Sequence, residues 1–333
     1  MHGVREAPQK SQVCTLKAIF ILGPTASGKS SLAVWLADAF KSQLQFEIIS
    51  VDSALVYRGM DIGTAKPSLA ERQQVAHHLI DIIEPNEAYS AARFVNDASR
   101  VVREIHARGN FPLIVGGTML YVKALCDGLH DLPVSDPQVR AQVLHEAQQH
   151  GWPAMHEALR QVDSITAQRL APNDAQRIGR ALELYRQTGR SMSHWLAESA
   201  PGPATDIDFE ILSLEPSQRA PLHERIARRF QVMLEQGFLN EMRALRARGD
   251  LNVDLASMRC VGYRQAWEWL DQESIGEAPP IQMMIEQGVI ATRQLAKRQL
   301  TWLRSMPQRQ VLDCLDKNLK ALAFEHLKKA TGA

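Results

Sequence analysis

The chain has 333 residues, 45% hydrophobic and 23% charged, with a formal net charge of +1. At roughly 150 residues per domain, that length predicts two domains or one core with a large insertion, and the composition excludes a fibrous or largely disordered chain. A near-neutral sum neither demands nor excludes a nucleic-acid partner, so the placement of the charges has to decide.

The first 16 residues are polar, and no secretory signal is expected. No apolar run reaches the roughly 18 residues a membrane span needs. Cys14, Cys126, Cys260 and Cys314 lie far apart without a metal or redox spacing. A cytoplasmic protein with reduced thiols is expected.

Lys17 to Leu22 (KAIFIL) predicts a buried strand that stops at Gly23-Pro24. Residues 23–30 (GPTASGKS) match G-x-x-x-x-G-K-[ST]. Leu32, Leu36 and Phe40 then recur at helical spacing. Strand, glycine-rich loop and helix in this order make a phosphate-binding loop. The glycines allow the backbone N–H groups to wrap phosphate oxygens, and the helix amino terminus adds its dipole. Lys29 supplies a charge and Ser30 a hydroxyl for Mg²⁺. Gly23, Pro24, Thr25, Ala26, Ser27, Gly28, Lys29 and Ser30 are therefore expected to hold a pyrophosphate or triphosphate.

Phe46 to Val51 predicts a second strand, ending at Asp52, and Phe111 to Val115 a third, ending at Gly116-Gly117-Thr118. Ser90 to Arg108 has helical spacing between them. The alternation predicts a P-loop α/β fold, a parallel sheet flanked by helices, with function at the carboxyl ends of its strands. Asp52 is a turn or cap residue, or else a general base or a Mg²⁺-associated carboxylate near the phosphates. Thr118 is a helix cap, or a hydroxyl that positions a reacting amine. The adjacent His77 and His78 point in different directions, which favours structural use over metal binding. An NTPase usually has a further strand ending in a magnesium-binding Asp. The strand at 111–115 lacks one, but a small-molecule kinase stays open at this point.

Residues 129–205 change character: Gln-, Arg- and His-rich, helical in pattern, punctuated by Pro133, Pro137, Pro153 and Pro172. An all-helical insertion is expected there, between a core formed by residues 1–128 and 206–333. A linker is expected around Ala200, and Asp208 to Leu214 predicts a return to the sheet. Pro221 to Arg304 reads as helical and locally basic, and the last thirty residues as a weakly specified tail. Residues 289–304 carry Arg293, Lys297, Arg298 and Arg304 and no acid. At about 100° per residue, Arg293, Lys297 and Arg304 fall within about 40° of one another. Leu295 and Trp302 point the opposite way, as a core stripe would, and Leu300 interrupts the basic face. Gln176, Arg177 and Arg180 make a smaller ridge, and Arg219, Arg225, Arg228 and Arg229 a third cluster. Such faces are either plain solvated surface or contacts to an RNA backbone.

Taken together, GPTASGKS (23–30), DSALVYRGMDIGTAKP (52–67), HHLID (77–81), AYSAARF (88–94), IVGGTMLY (114–121), NDAQRIGRALE (173–183), RCVGYRQ (259–265) and TRQLAKRQLTWLR (292–304) stand in one order. In that order the chain closely resembles the tRNA dimethylallyltransferase (isopentenyltransferase) family of bacterial type. The resemblance implies transfer of a dimethylallyl group from dimethylallyl pyrophosphate to N6 of the adenine 3′ of the anticodon. The tRNAs would be those reading codons that begin with U. The P-loop would hold the leaving pyrophosphate with Mg²⁺, and Asp52 would be the general base. Thr118 would lie near the amine, and Arg140 at the reaction centre. By the same match Asp52, Ser53, Ala54 and Leu55 would touch the tRNA anticodon arm. So would Gln176, Arg177, Ile178, Gly179 and Arg180; Arg259, Cys260, Val261, Gly262, Tyr263 and Arg264; and Lys297, Arg298 and Arg304. The insertion would swing over the substrate, and a monomer is expected.

The chain departs from the family in Ala54-Leu55, where many relatives have Met-Gln, so a base contact through that Gln side chain is not expected. GGTMLY replaces the commoner GGTGLY, and with only Cys314 beyond the core no zinc finger is expected. Two other classes compete. A small-molecule kinase would leave the basic faces unexplained, and a non-catalytic RNA-binding switch would leave Asp52 and Thr118 without a role.

Overall fold

The structure, a computed structural model, describes residues 16–198 and 205–333. Cys14, the polar start of the chain and the linker expected around Ala200 lie outside those residues. The described residues form two compact units, one of residues 16–126 with 205–333 and one of residues 127–198.

The larger unit begins with β1 (Leu16–Leu22), α1 (Lys29–Phe40), β2 (Phe46–Val51), α2 (Leu69–Gln74), β3 (His77–His78), α3 (Ala91–Ala107), β4 (Phe111–Gly116) and α4 (Met119–Asp127). The smaller unit holds α5 (Pro137–His150), α6 (Trp152–Val162), α7 (Ser164–Arg169), α8 (Ala175–Thr188) and α9 (Met192–Glu198). The chain then returns through β5 (Ile207–Glu215), α10 (Arg219–Glu235), α11 (Phe238–Ala247), α12 (Tyr263–Ser274), α13 (Ile281–Arg304), β6 (Gln310–Asp313) and α14 (Leu319–Thr331).

The six strands pair in the order β3-β2-β4-β1-β5-β6, all parallel. Strand side chains alternate between faces, so the short apolar runs feed two cores. Phe20 and Leu22 join one cluster with Phe94, Val102, Ile105 and Phe230, while Ile19 and Ile21 join the other with Leu32, Leu36 and Phe40. Burial on both faces explains why the strands read as continuous hydrophobic runs. The register sets Leu22 beside Gly116 and Val51 beside Gly116. The residues that follow, Gly23, Asp52 and Gly117, therefore leave the sheet side by side.

The tail expected to be weakly specified is instead part of the core. β6 adds a sixth strand beside β5, and α14 packs Ala323 and Leu327 fully buried. Phe324 stacks on Phe40 with ring centroids 4.3 Å apart. A four-residue edge strand and a helix whose apolar face is matched by α1 and β6 carry little local signal, which is why the tail reads weakly in sequence.

In the smaller unit Val143, Met155, Leu159, Ile178 and Leu182 form a separate core. Asp163 ties it together. One carboxylate oxygen accepts from Thr166 N at 3.0 Å and the other from Ser193 N at 2.9 Å.

At the amino end of β2, away from the strand ends just described, Glu47 gathers a polar knot. It accepts from Arg108 Nε and Nη2 at 3.0 and 2.8 Å, from Asn110 Nδ2 at 2.7 Å, and pairs with His78 Nε2 at 2.6 Å. His77 Nδ1 lies 2.7 Å from Val75 O, so both histidines are used inside the fold. Burial alone would raise the Glu47 carboxyl, but the bonds from Arg108, Asn110 and His78 outweigh it and hold the group at about 2. Glu47→Ala should destabilise the fold by about 2–3 kcal/mol, because it removes a buried carboxylate that accepts several charge-assisted hydrogen bonds. The sign in pH follows from the depressed pKa. The contribution is complete above the unfolded value of 4.5 and is lost as pH falls toward about 2. Thermal melts of both proteins between pH 7 and pH 2 should converge at the acid end. Parallel curves would show that Glu47 does not carry this term.

Candidate active site

The strand ends of β1, β2 and β4 open into a cavity of about 520 Å³, also walled by α10, α12 and α13. Its floor is the loop between β1 and α1. Gly28 caps α1 with φ 89°, and Ala26 also takes a left-handed turn at φ 63°. Alternating such residues turns successive N–H groups toward one point, and the first-turn N–H groups of α1 have no partner within the helix. Gly23 must be glycine. A Cβ there would lie 2.6 Å from Ser27 Oγ and 2.8 Å from Leu214 O. The N–H groups of Thr25 and Ser27 are committed to the protein, to Gln299 Oε1 at 2.8 Å and Pro24 O at 3.2 Å.

Lys29 and Ser30 line the cavity with Asp52 and Arg229. Burial lowers the Lys29 ammonium to about 8, with Asp52 opposing the shift and Arg229 adding to it. Burial also lowers Arg229, again opposed by Asp52. Two desolvated cations facing one carboxylate make a pocket short of negative charge, which a diphosphate would supply. Among the described residues no group of three or more His, Cys, Asp or Glu side chains could cage a metal. A Mg²⁺ ion in this cavity would have the Ser30 hydroxyl, at the α1 amino terminus, among its protein groups.

The facing turns are braced to each other. Gly117 N and Thr118 N donate to Val51 O at 3.2 and 3.1 Å, and Ser53 N donates to Thr118 Oγ1 at 2.9 Å. Asp52 Oδ1 accepts from Ala54 N at 2.9 Å, which fixes its carboxylate over its own turn. Asp52 is thus both a turn residue and a half-buried carboxylate facing the cavity; the two uses coexist. Ser53, Ala54 and Leu55 line the same cavity.

Arg259, Cys260, Val261, Gly262 and Tyr263 form another wall. Burial, and next Asp52, push the Cys260 thiol up to about 12, so it presents a neutral, apolar surface. Tyr263 is fully buried and donates to Glu241 Oε1. Glu241 also accepts from the backbone N–H groups of Asp61, Ile62 and Gly63 at 2.7, 2.7 and 3.2 Å. Sequence reading missed Glu241; an isolated helical Glu gives no local signal for a partner 180 residues away. Nor does a spacing rule reveal that Lys66 is buried between Tyr57 O, Asp61 and Asp81. Arg264 leaves the cavity and pairs with Glu268 at 2.8 Å. Ile226, Phe230, Met233 and Phe238 give the cavity an apolar wall.

The basic segments divide differently from their sequence spacing. Arg219, Arg225, Arg228 and Arg229 are not one cluster, because helical rotation sends them apart. Arg229 turns into the cavity, and Arg225 Nη1 donates to Cys314 O at 3.3 Å. Arg219 joins Arg293, Lys297 and Arg304 in a second groove of about 380 Å³ between α10 and α13, where no carboxylate contributes. Leu295 and Trp302 are not the core stripe of α13. They line the first cavity with Arg298, and Ala296, Leu300 and Leu303 are buried instead. Packing against α10 rotates the buried face toward the basic one.

In the smaller unit, Arg140 on α5 is half-exposed with its Nε 4.0 Å from Glu183 Oε1. Arg180 also pairs with Glu183, at 3.7 Å. Gln176 and Arg177 are exposed, while Ile178 and Gly179 are buried, Gly179 against Trp152.

The IPP transferase family pattern matches residues 55–306. A tRNA dimethylallyltransferase of Paraburkholderia phymatum is 56% identical over 313 residues, 93% of this chain and 95% of the relative. One from Cupriavidus taiwanensis is 58% identical over 301 residues, 89% and 91% of the two chains. Among solved structures, the full-length tRNA isopentenylpyrophosphate transferase of Bacillus halodurans aligns with a TM-score of 0.64 at 33% identity, over 96% of this chain and 100% of that one. A eukaryotic dimethylallyltransferase acting on tRNA aligns with a TM-score of 0.76 at 27% identity, over 95% and 80%.

Proposed function

Because the chain belongs to the IPP transferase family, we propose that it is a tRNA dimethylallyltransferase using the cavity at the ends of β1, β2 and β4. The donor is dimethylallyl pyrophosphate, and the acceptor is N6 of the adenine 3′-adjacent to the anticodon in tRNAs reading U-starting codons. The observation that carries this reading is one cavity with two chemistries. A phosphate loop with two buried cations faces a carboxylate and a hydroxyl on the neighbouring strand ends, beside an apolar wall suited to an isoprenoid. A kinase would place its acceptor at the phosphates and would have no use for that wall.

The N6 lone pair forms a bond to the allylic carbon while the carbon–oxygen bond to the pyrophosphate breaks. Charge grows on the departing oxygen, where Lys29, Arg229 and the α1 amino terminus lie to receive it. Bound at Ser30, Mg²⁺ would neutralise further phosphate charge. Asp52 takes the N6 proton, and Thr118, tied to Ser53, orients the amine. Arg140 is assigned to the reaction centre by its family position alone. The adenine must leave the loop stack, at a cost of about a few kcal/mol. Contacts to the anticodon arm from residues 52–55, Gln176, Arg177, Arg180, Arg259, Arg264, Lys297, Arg298 and Arg304 offset it. We take the enzyme to act as a monomer in the cytoplasm, since one chain supplies the whole site.

Incubation with unmodified tRNA, Mg²⁺ and labelled dimethylallyl pyrophosphate should put label into tRNA, and γ-labelled ATP should not. Label from ATP alone, or none from either donor, rejects the reading.

The second groove would hold RNA phosphates. Neutralising Lys297 and Arg304 together should weaken tRNA binding and shallow its log–log salt slope by about 2, with pyrophosphate binding little changed. A wild-type slope would remove both from the backbone contacts.

A further inference from the structure

Gln299 is 8% exposed, near the carboxyl end of α13. Its amide is used at both ends. Oε1 accepts from Thr25 N in the phosphate loop at 2.8 Å, and Nε2 donates to Gly117 O at the end of β4 at 2.9 Å. The bridge continues. Gly117 N and Thr118 N bind Val51 O, and Thr118 Oγ1 accepts from Ser53 N beside Asp52. One side chain thus connects the turn that would hold the leaving group with the turns that would hold the base and the amine. No backbone hydrogen bond of the sheet does this, because Thr25 and Gly117 both lie beyond the last paired residues, Leu22 and Gly116. The absence of a side chain at Gly117 leaves room for this bond. A Cβ there would lie 2.4 Å from Gln299 Nε2 and 3.0 Å from Gly23 O.

We propose that Gln299 is a positioning residue for prenyl transfer, whose amide sets the distance between the phosphate loop and the Asp52–Thr118 turns. This rests on the transfer reaction proposed above. Other residue types fit the position less well. Glutamate could accept from Thr25 but would set a carboxylate against the Gly117 carbonyl. Methionine fills the same volume and does neither job. A loop released from this tie could still bind pyrophosphate with its own N–H groups, but the allylic carbon would drift relative to the amine. A misplacement of about 1 Å can cost roughly 10²-fold in rate. The effect therefore belongs in kcat and not in the binding of either substrate.

The test compares wild type, Gln299→Met and Gly117→Ala, and the pair of changes together, at a temperature well below each melting midpoint. Gln299→Met should lower kcat by roughly 10²-fold. The KM for dimethylallyl pyrophosphate and the Kd for tRNA should stay within about 3-fold. Gly117→Ala pushes the amide aside from the other end, so its penalty should shrink in the Gln299→Met background. Wild-type kcat in Gln299→Met, a loss that tracks melting temperature or tRNA affinity, or fully additive penalties would each overturn the proposal. Should Gln299→Met fail to fold, Gly117→Ala alone must show the same split between kcat and KM. If the wild type transfers no prenyl group, the proposed function fails and this inference with it. If the wild type transfers and the variants match it, only this inference fails.

Discussion

Asp52→Asn is expected to bind tRNA as the wild type does and to transfer the prenyl group roughly 10²–10⁴ times more slowly. The substitution is chosen for what it leaves in place. Asn keeps the side-chain oxygen that accepts from Ala54 N, so the turn that carries residues 52–55 survives. What disappears is the ability to take a proton from the amine, together with one negative charge facing Lys29 and Arg229. Loss of that charge should slightly tighten pyrophosphate binding, since Asp52 is the anion closest to competing for those cations. Single-turnover rates with saturating substrates, set beside equilibrium binding, separate the two effects. Unchanged turnover would remove Asp52 from the proton transfer.

Lys29→Met is expected to lose roughly 10³-fold in kcat/KM for dimethylallyl pyrophosphate, because no other group places an ammonium at the loop. The same substitution should raise the melting temperature. A cation held at about 8 in the fold and 10.5 when unfolded is charged at a cost near neutrality. The sign can be checked in pH. The folded state binds its proton less tightly, so wild-type stability rises as pH climbs from about 8 toward 10.5. The gap between variant and wild type should close over that range. In the wild type, kcat/KM for the diphosphate should fall as pH passes about 8, where the free enzyme loses the Lys29 charge. A variant that is inactive but no more stable than the wild type would mean that Lys29 is better solvated than its surroundings imply.

These two residues were legible early because their signals are local. A phosphate loop needs glycines, a lysine and a helix start within eight residues, and Gly23 to Ser30 supply them in one stretch. Asp52 and Thr118 each follow a buried apolar run, and a parallel sheet sends such positions to one edge. Arg229 and Gln299 carry no such local signal: spacing along the chain groups Arg229 with Arg219, Arg225 and Arg228, and Gln299 stands in a basic helical run. Which way a helical side chain turns depends on the partner that the helix packs against. Here α10 and α13 pack on each other, and that contact sends Arg229 and Arg298 inward while Arg219, Arg293, Lys297 and Arg304 share the outer groove.

The sequence by itself determined the parallel α/β core, the glycine-rich turn between β1 and α1, the helical stretch that follows α4 and, through ordered motifs, the family. Each of these is written in short-range periodicity or in residues that only one backbone shape accepts. Tertiary structure alone decided that the last thirty residues complete the sheet and that Glu241 secures the 61–63 loop. It alone showed that Gln299 joins two turns 92 residues apart, at Thr25 and Gly117. Those are hydrogen bonds and packing contacts between segments far apart in the chain. Their free energy exists only after the sheet has brought the segments together, so no local pattern of residues records them.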